Sequence, residues 1–303
     1  MRVLFVGEGM LELSQQDGGY ALRYGGDTLN TAIHLARAGF EAAYLTALGT
    51  DPFSRKLRAD WQAEGLDCSL VLEHPLRHAG LYAISTDEAG ERQFTYWRSD
   101  SAAREMFALP ATKVALERAA GADLLGFSLI SLAILSDQGR SQLVELARNV
   151  RANGGRVAFD GNFRPALWSD VTEARHWRDA AIACADIGLP TRDDEAAMGG
   201  ARDGDAIAAH WHGLGCGDVV VKLGAEGCRL PDGSVQPPPE TIDPVDTSGA
   251  GDAFDAGYLA ARLAGMPTER SAQVGQKLAG EVIGRRGAIP LVPEWPALLE
   301  DAR

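Results

Sequence analysis

The sequence is short of positive charge, of cysteine and of long apolar runs. Its 29 lysines and arginines face 42 aspartates and glutamates, giving a formal net charge of −13 at pH 7. So acidic a surface repels phosphate backbones, which argues against nucleic acid as a partner, and it disfavours anionic membranes. Any anionic substrate must then meet a local positive site built from arginines, helix N-termini or a bound cation. No apolar run is long enough to span a bilayer, and the opening strand is too short for the core of a signal peptide. Cys68, Cys184, Cys216 and Cys228 are scattered without paired metal spacing, so they read as free thiols in a reducing cytoplasm. His210 and His212 flank Trp211 with no further ligands nearby, and read as one face of a helix rather than a zinc site.

The commonest phosphate-binding patterns are missing too. No Gly-x-x-x-x-Gly-Lys-Ser/Thr occurs, which removes the P-loop class, and the protein-kinase set is absent. Gly7-Glu8-Gly9 lacks the third glycine of the dinucleotide fingerprint, so a nicotinamide oxidoreductase has little support.

What is present is a rhythm of strand, glycine-rich turn and helix. Val3–Val6, Ala42–Leu48, Asp123–Phe127, Arg156–Asp160 and Val219–Lys222 read as strands. Asn30–Ala38, Pro52–Glu64, Ser136–Asn153, Gly249–Ala264 and Thr268–Arg285 read as helices. Short apolar strands alternating with helices imply an α/β fold with a mostly parallel sheet covered on both faces. Two stretches, Gly19–Tyr24 and Gly80–Trp97, alternate apolar and polar residues instead, the second around a turn at Asp87-Glu88-Ala89-Gly90. They read as a small antiparallel lid or interface, with a plain edge hairpin as the alternative. With no repeats or linkers, residues 1–303 read as a single α/β domain, and the lid is drawn from about 13–24 and 68–100.

The strongest chemical signal is Asp246-Thr247-Ser248-Gly249-Ala250-Gly251-Asp252-Ala253-Phe254, an extended stretch running into a helix. Amides at a helix N-terminus lack helical partners and the macrodipole adds partial positive charge; Gly249, Ala250 and Gly251 have no bulk to keep a phosphate away. Asp252 follows in the first turn. The dipole favours its ionised form, so a carboxylate is expected at neutral pH. Beside a phosphate cradle, its chemical use is to take the proton of an attacking hydroxyl. Simple helix capping is the alternative, but a cap does not require the preceding Gly-Ala-Gly.

Weaker segments surround this one. Gly25-Gly26-Asp27-Thr28-Leu29-Asn30 offers close backbone approach with amide and carboxylate groups, which suits a polyol or else a simple turn with a cap. Tyr96-Trp97-Arg98 and Asn162-Phe163-Arg164-Pro165 supply two arginines, Arg164 just past a strand's C-terminal end, where ligands bind in open α/β sheets. Arginine suits a carboxylate or phosphate through paired hydrogen bonds, although surface ion pairing is the alternative for each. Lys222-Leu223-Gly224-Ala225-Glu226-Gly227 is a strand entering a glycine turn able to wrap a nucleotide.

In this order, these segments resemble the ribokinase-like (PfkB) carbohydrate kinases. Gly25-Gly26 with Asn30, Gly39 and Gly49 matches one family signature, and residues 246–259 match the other. Within the family the chain is most similar to the branch acting on 2-keto-3-deoxygluconate. That similarity runs through GDTLNTA from Gly26, TALGTD from Thr46, GERQFTYWR from Gly90, LAILS from Leu132, RANGG from Arg151, NFRPALW from Asn162 and RGAIP from Arg286.

The resemblance implies a three-layer α/β/α domain with a small β-sheet lid that doubles as a homo-oligomer interface, and ATP and magnesium as cofactors. It implies phosphorylation of the terminal hydroxyl of a sugar acid, with a fructokinase or other sugar kinase as the alternative and a non-catalytic sugar-acid-binding protein less favoured. By resemblance Gly26, Asp27, Asn30, Tyr82, Tyr96, Arg98 and Arg164 line the sugar site, and Asp252 is the base beside the anion hole of Gly249, Ala250 and Gly251. Asn162, Arg164, Lys222, Gly224, Gly227 and Gln276 lie along the nucleotide. The family's Asn-x-x-Glu appears here as Thr191-Arg192-Asp193-Asp194, so Asp194 is expected to act on magnesium through water, with no direct ligand named. No role is attached to Asp255. A neutral hexose needs no pair of arginines, whereas a sugar acid does, which favours Arg98 and Arg164 as the groups that draw it in.

Overall fold

The computed structural model describes residues 1–16, 18–86 and 92–300. Along the chain the strands are β1 (Arg2–Val6), β2 (Met10–Gln16), β3 (Gly19–Gly25), β4 (Glu41–Leu48), β5 (Val71–Glu73), β6 (Leu81–Thr86), β7 (Arg92–Trp97), β8 (Leu124–Ser128), β9 (Arg156–Asp160), β10 (Ile187–Gly188), β11 (Asp218–Val219), β12 (Val221–Lys222), β13 (Cys228–Arg229) and β14 (Val235–Gln236). The helices are α1 (Asp27–Arg37), α2 (Pro52–Ala63), α3 (Thr112–Ala119), α4 (Leu129–Ala133), α5 (Asp137–Ala152), α6 (Val171–Ile182), α7 (Arg192–Ala197), α8 (Gly204–Gly213), α9 (Ala250–Leu263), α10 (Thr268–Ile283) and α11 (Trp295–Glu300).

Seven strands form an all-parallel sheet in the order β11-β10-β9-β8-β1-β4-β5. The alternation of side chains along a strand divides the core between its two faces. Val3 and Phe5 point to the side covered by α1, α2, α9 and α10, whereas Leu4 and Val6 point to the side covered by α3, α5, α6 and α8. This is the three-layer arrangement expected. The helices α9 and α10 touch closely because Gly257 faces Gly275; a methyl group on Gly257 would lie 2.7 Å from the Gly275 Cα.

A second sheet, in the order β3-β2-β6-β7, stands over one end of the first. It is mixed rather than purely antiparallel, since β2 and β6 run parallel while the outer pairs are antiparallel. The stretch around Val71–Glu73, placed in the lid from sequence, instead pairs with β4 as the edge of the main sheet. The hairpin turn at Asp87-Glu88-Ala89-Gly90 lies outside the described residues. Val219–Lys222 is likewise two strands: β11 closes the main sheet, and β12 starts a three-stranded sheet with β13 and β14. His210 and His212 both lie in α8 but do not share a face. His210 approaches Arg178 and Asp179, whereas His212 bonds the Cys216 carbonyl, because two positions on a helix are about 200° apart. The four cysteines are free and buried.

The strand order reverses at β1, which has β4 on one side and β8 on the other. In such sheets the crevice for a ligand opens at the carboxyl ends of the strands beside that switch. Glu8, Ser128 and Asp160 stand just beyond or at those ends. The mouth of α9 and the β2-β6 lid meet over them.

Candidate active site

Asp252 sits in the first turn of α9, whose N-cap Gly249 has φ 73°. A side chain at Gly249 would also strike the Ala288 carbonyl at 2.3 Å, so both backbone and space require glycine there. The amides of Gly251 and Asp252 donate to no described group, as the first amides of a helix must when nothing caps them. A Cβ on Gly251 would meet only Lys222 Nζ, at 3.8 Å. Open amides, an ammonium group and a carboxylate therefore converge on one small space.

The carboxylate is anchored from α1. Asn30 Nδ2 donates to Asp252 Oδ2 at 2.6 Å, and Thr31 Oγ1 donates to the Asp252 carbonyl at 3.2 Å. Gly26 caps α1 with φ 153°, and a side chain there would strike the Glu8 carbonyl at 2.2 Å. Asp27 accepts hydrogen bonds from Ser128 Oγ at 2.5 Å and from Asn162 Nδ2 at 3.3 Å. Lys222 Nζ bonds Asp160 at 3.0 Å and both oxygens of Asp255 at 2.9 and 3.1 Å.

Here the expected ionised Asp252 needs correction. Burial above all, reinforced by the Asp27 charge, pushes its carboxyl up to about 8, against the opposing pull of the Asn30 hydrogen bond and Lys222. The helix N-terminus does not outweigh the loss of solvent and the crowding of acids. Asp255, burial again first, is held well above the usual carboxylate range although it faces Lys222. The two carboxylates holding the lysine keep its ammonium charged despite burial. Burial also raises Asp27 and raises Asp194 to about 6. A cavity of about 20 Å³ lined by Asp27, Asp160 and Asp255 lies beneath these groups, room for about one water.

The residues expected to line a sugar site gather against the inner face of the second sheet. Met10, Tyr82 and Ile84 form a small apolar cluster, with the Tyr82 ring 5.8 Å from that of Tyr96. Tyr82 donates to Glu12, and the Arg98 guanidinium lies 5.9 Å from the Tyr96 ring centre. Both arginines expected to draw in a substrate acid already hold a protein acid, the ion pairing that was the alternative for each. Arg98 is buried and grips Glu8, with Nε at 2.8 Å. Arg164, 53% exposed, reaches Asp194 at 3.3 Å. Farther out, Gly227 has φ 99° and packs against the Gln236 carbonyl, to which Gln276 Nε2 donates at 2.8 Å; Gln276 Oε1 is buried without a partner. A track therefore runs from Asp252 past Lys222 and the Gly224–Gly227 turn to Gln276. A groove of about 810 Å³ between α3 and α5 lies on the outside of the helical layer and includes none of these residues.

Glu8, Glu12, Asp160 and Asp255 were not singled out from sequence. The signal for Glu8 and Asp160 was available: each is an acid at the carboxyl end of a strand. Asp255 is one helical turn past Asp252, hence on the same side of α9.

A parallel α/β sheet whose strand ends carry an amide cradle, a lysine and a buried carboxylate defines a phosphotransferase for small molecules. Residues 6–295 match the pfkB family carbohydrate kinases, and the chain belongs to that family. It is 41% identical over 298 residues to a 2-dehydro-3-deoxygluconokinase of Escherichia coli strain K12, covering 95% of this chain and 96% of that one. It is 40% identical over 307 residues to the 2-dehydro-3-deoxygluconokinase of Dickeya dadantii, covering 97% and 98%. The crystal structure of a 2-dehydro-3-deoxygluconokinase from Thermotoga maritima shares the fold with a TM-score of 0.85 at 20% identity, over 99% of this chain and 98% of that one.

Proposed function

We propose that this chain transfers the γ-phosphoryl group of ATP to the terminal hydroxyl of 2-dehydro-3-deoxy-D-gluconate (KDG), giving 6-phospho-KDG. The observation that carries the chemistry is the meeting of Asp252, the open amides of Gly251 and Asp252, and Lys222 at one point. The identity to enzymes of that name, over nearly whole chains, supports the substrate.

Asp252 takes the hydroxyl proton while the amides hold the migrating phosphoryl group. A base with a pKa near 8 pulls harder on that proton than an ordinary carboxylate, at the expense of being largely protonated at pH 7 in the free enzyme. Asn30 fixes its orientation, and Asn30 Oδ1, buried and unpartnered, is free to accept from a sugar hydroxyl. Gly26 gives the sugar a close approach to backbone; Tyr82 and Tyr96 form its wall, with Asp27, Arg98 and Arg164 around it. Gly249 and Ala250 complete the anion hole. Lys222, Gly224, Gly227 and Asn162 border the nucleotide, and Gln276 Oε1 is an acceptor for the adenine amino group.

The residues present also fit magnesium carried by the nucleotide. Among the described residues no three acids, histidines or cysteines stand close enough to cage an ion. Yet Asp27, Asp160, Asp252 and Asp255 outnumber Lys222, and a hydrated ion that keeps its waters needs only such outer carboxylates, with Asp194 reached through water. When bound, magnesium neutralises phosphate charge and favours ionised Asp252.

The outer face of the lid carries Leu13, Leu22, Tyr20 and Trp97, with Tyr20 60% and Trp97 57% exposed. A second copy of the chain would cover it. Among the described residues no helix is long and apolar enough to cross a membrane; a cytoplasmic location accords with that.

A coupled ADP-release assay with ATP across KDG, gluconate, fructose and ribose tests the function. KDG should be turned over far faster than the others. Preference for fructose would replace this reading with a fructokinase, and no ADP with any sugar would leave a binding protein.

A further inference from the structure

Arginines near the sugar side differ in what neutralises them. Arg98 has Glu8 and Arg164 has Asp194. Arg77 holds Asp100 and Glu105, and Arg140 holds Asp137 and Glu173. Arg104 is the exception. It lies in the 3₁₀ turn Ala102–Glu105, six residues beyond Arg98, and is only partly exposed. Its amide donates to the Ser101 carbonyl at 3.2 Å, but its guanidinium makes no hydrogen bond or ion pair with any described residue. Its place is fixed, because Ala102 and Ala103 beside it are packed into the core and the Ala102 amide donates to the His78 carbonyl at 2.8 Å.

The environment of Arg104 is that of the sugar wall. Burial first, then the charges of Arg98, Arg140 and Arg77, lower its proton affinity, with Glu8 acting the other way. A half-buried guanidinium among like charges is a poor arrangement unless an anion joins it. The surrounding polar groups are unfinished as well. Glu8 Oε1, Asn30 Oδ1 and Ser101 Oγ are buried and have no partner. They want hydroxyl donors or a further acceptor, and Arg104 wants an acid. A sugar acid brings both in one molecule.

We infer that Arg104 is a specificity-determining residue that binds the substrate carboxylate, with Glu8 holding Arg98 in place beside it. This rests on the reading that the substrate is a sugar acid. In a protein of net charge −13, a partly buried guanidinium of this wall without a protein acid is where an incoming carboxylate gains most.

The test compares KDG with its carboxamide, which has the same shape and no charge, in the parent, Arg104→Ala and Arg104→Lys. The amide is measured as substrate or competitor. Arg104→Ala should raise KM for KDG roughly ten- to hundredfold, the range for a lost charge-assisted hydrogen bond. It should leave kcat within about threefold, the KM for ATP and the amide's affinity unchanged, and the melting temperature near parental, since no protein partner is lost. Arg104→Lys should keep part of the preference for the acid. Parental KM for KDG in Arg104→Ala, or an equal loss for acid and amide, overturns the inference while leaving the kinase assignment intact. A parent that phosphorylates no sugar acid overturns both.

Discussion

The two walls of the cleft treat charge in opposite ways. On the floor, Asp27, Asp160, Asp252 and Asp255 crowd around Lys222, and the excess of acid is met by keeping protons on, with Asp252 pushed up to about 8. On the sugar wall, Glu8 is matched by Arg98 and Glu12 by Tyr82, and the partly buried guanidinium of Arg104 has no acid among the described residues. Each imbalance points to what is missing. A floor that is too negative calls for a cation with the nucleotide, and a wall with a spare positive charge calls for an anion. The lesson is that a site's surplus charge, after internal pairs are cancelled, is more informative than its count of charged residues.

The largest effect that would break this comparison is at Asp252. Asp252→Asn removes the base, and kcat should fall by about three orders of magnitude or more, with ATP affinity largely kept. Turnover like the parent's would show that the acid floor does not perform the proton transfer. The raised pKa adds two signatures of opposite sign. Activity needs the ionised form, so kcat/KM of the parent should rise about tenfold per pH unit up to about 8 and then level. Stability runs the other way. A carboxyl raised in the folded state stabilises it fully below the unfolded value near 4, and this is lost as pH rises through about 8. Urea unfolding of Asp252→Asn should therefore show a shallower decline in stability from pH 4 to 8 than the parent.

Next in size is Lys222. Lys222→Met leaves Asp160 and Asp255 buried without their cation, and breaking such a pair from one side costs about 3–5 kcal/mol. Adding Asp255→Ala to Lys222→Met should restore part of the loss, because one of the stranded acids goes too. If the double variant is no more stable than the single, Lys222 does not neutralise the floor. Smaller again, Arg164→Ala should weaken KDG more than fructose in the panel. Arg164 already holds Asp194 and is half exposed, so a several-fold difference is expected, about 1 kcal/mol. Equal losses would take Arg164 out of acid recognition.

Much of this was legible in the chain. The apolar runs Val3–Val6 and Arg156–Asp160, and the glycines that punctuate them, give the parallel sheet and its two covering layers. Residues 249–252 mark where the proposed cradle and base meet, because small residues before a helix leave its first amides open to a ligand. What sequence did not show is who neutralises whom. Glu8 and Arg98 are 90 positions apart, and Lys222 and Asp255 are 33 apart. Only the fold brings them together, so the partner of Arg98 and any use for Asp255 could not be read from the chain. The protonation of Asp252 escaped for the same reason. Its helix position was visible, but burial and the approach of Asp27 are properties of packing. Val219–Lys222 was read as one strand because its residues are uniformly apolar up to the lysine, whereas the break at Val220 follows from pairing to two different sheets.

A final prediction asks whether the floor's protons reflect burial as such or something peculiar to the active site. His34 offers the same physics away from the chemistry. It is fully buried in α1, both ring nitrogens lack partners, and burial first, then Arg37, depresses it to about 3. A buried base is pushed down as a buried acid is pushed up, because in each the charged form is the one disfavoured. The stability it contributes is present above its unfolded value near 6.5 and is lost as pH falls through about 3, up to about 5 kcal/mol in all. His34→Leu, which keeps the volume close, should therefore hold its urea midpoint better than the parent between pH 6 and 4, with kinase activity at pH 8 unchanged within about twofold. The two variants should thus flatten opposite halves of the stability profile, His34→Leu the acid limb and Asp252→Asn the decline toward pH 8. If His34→Leu loses stability toward acid as steeply as the parent, burial alone does not set such shifts, and the protons on the floor need a cause specific to its four carboxylates.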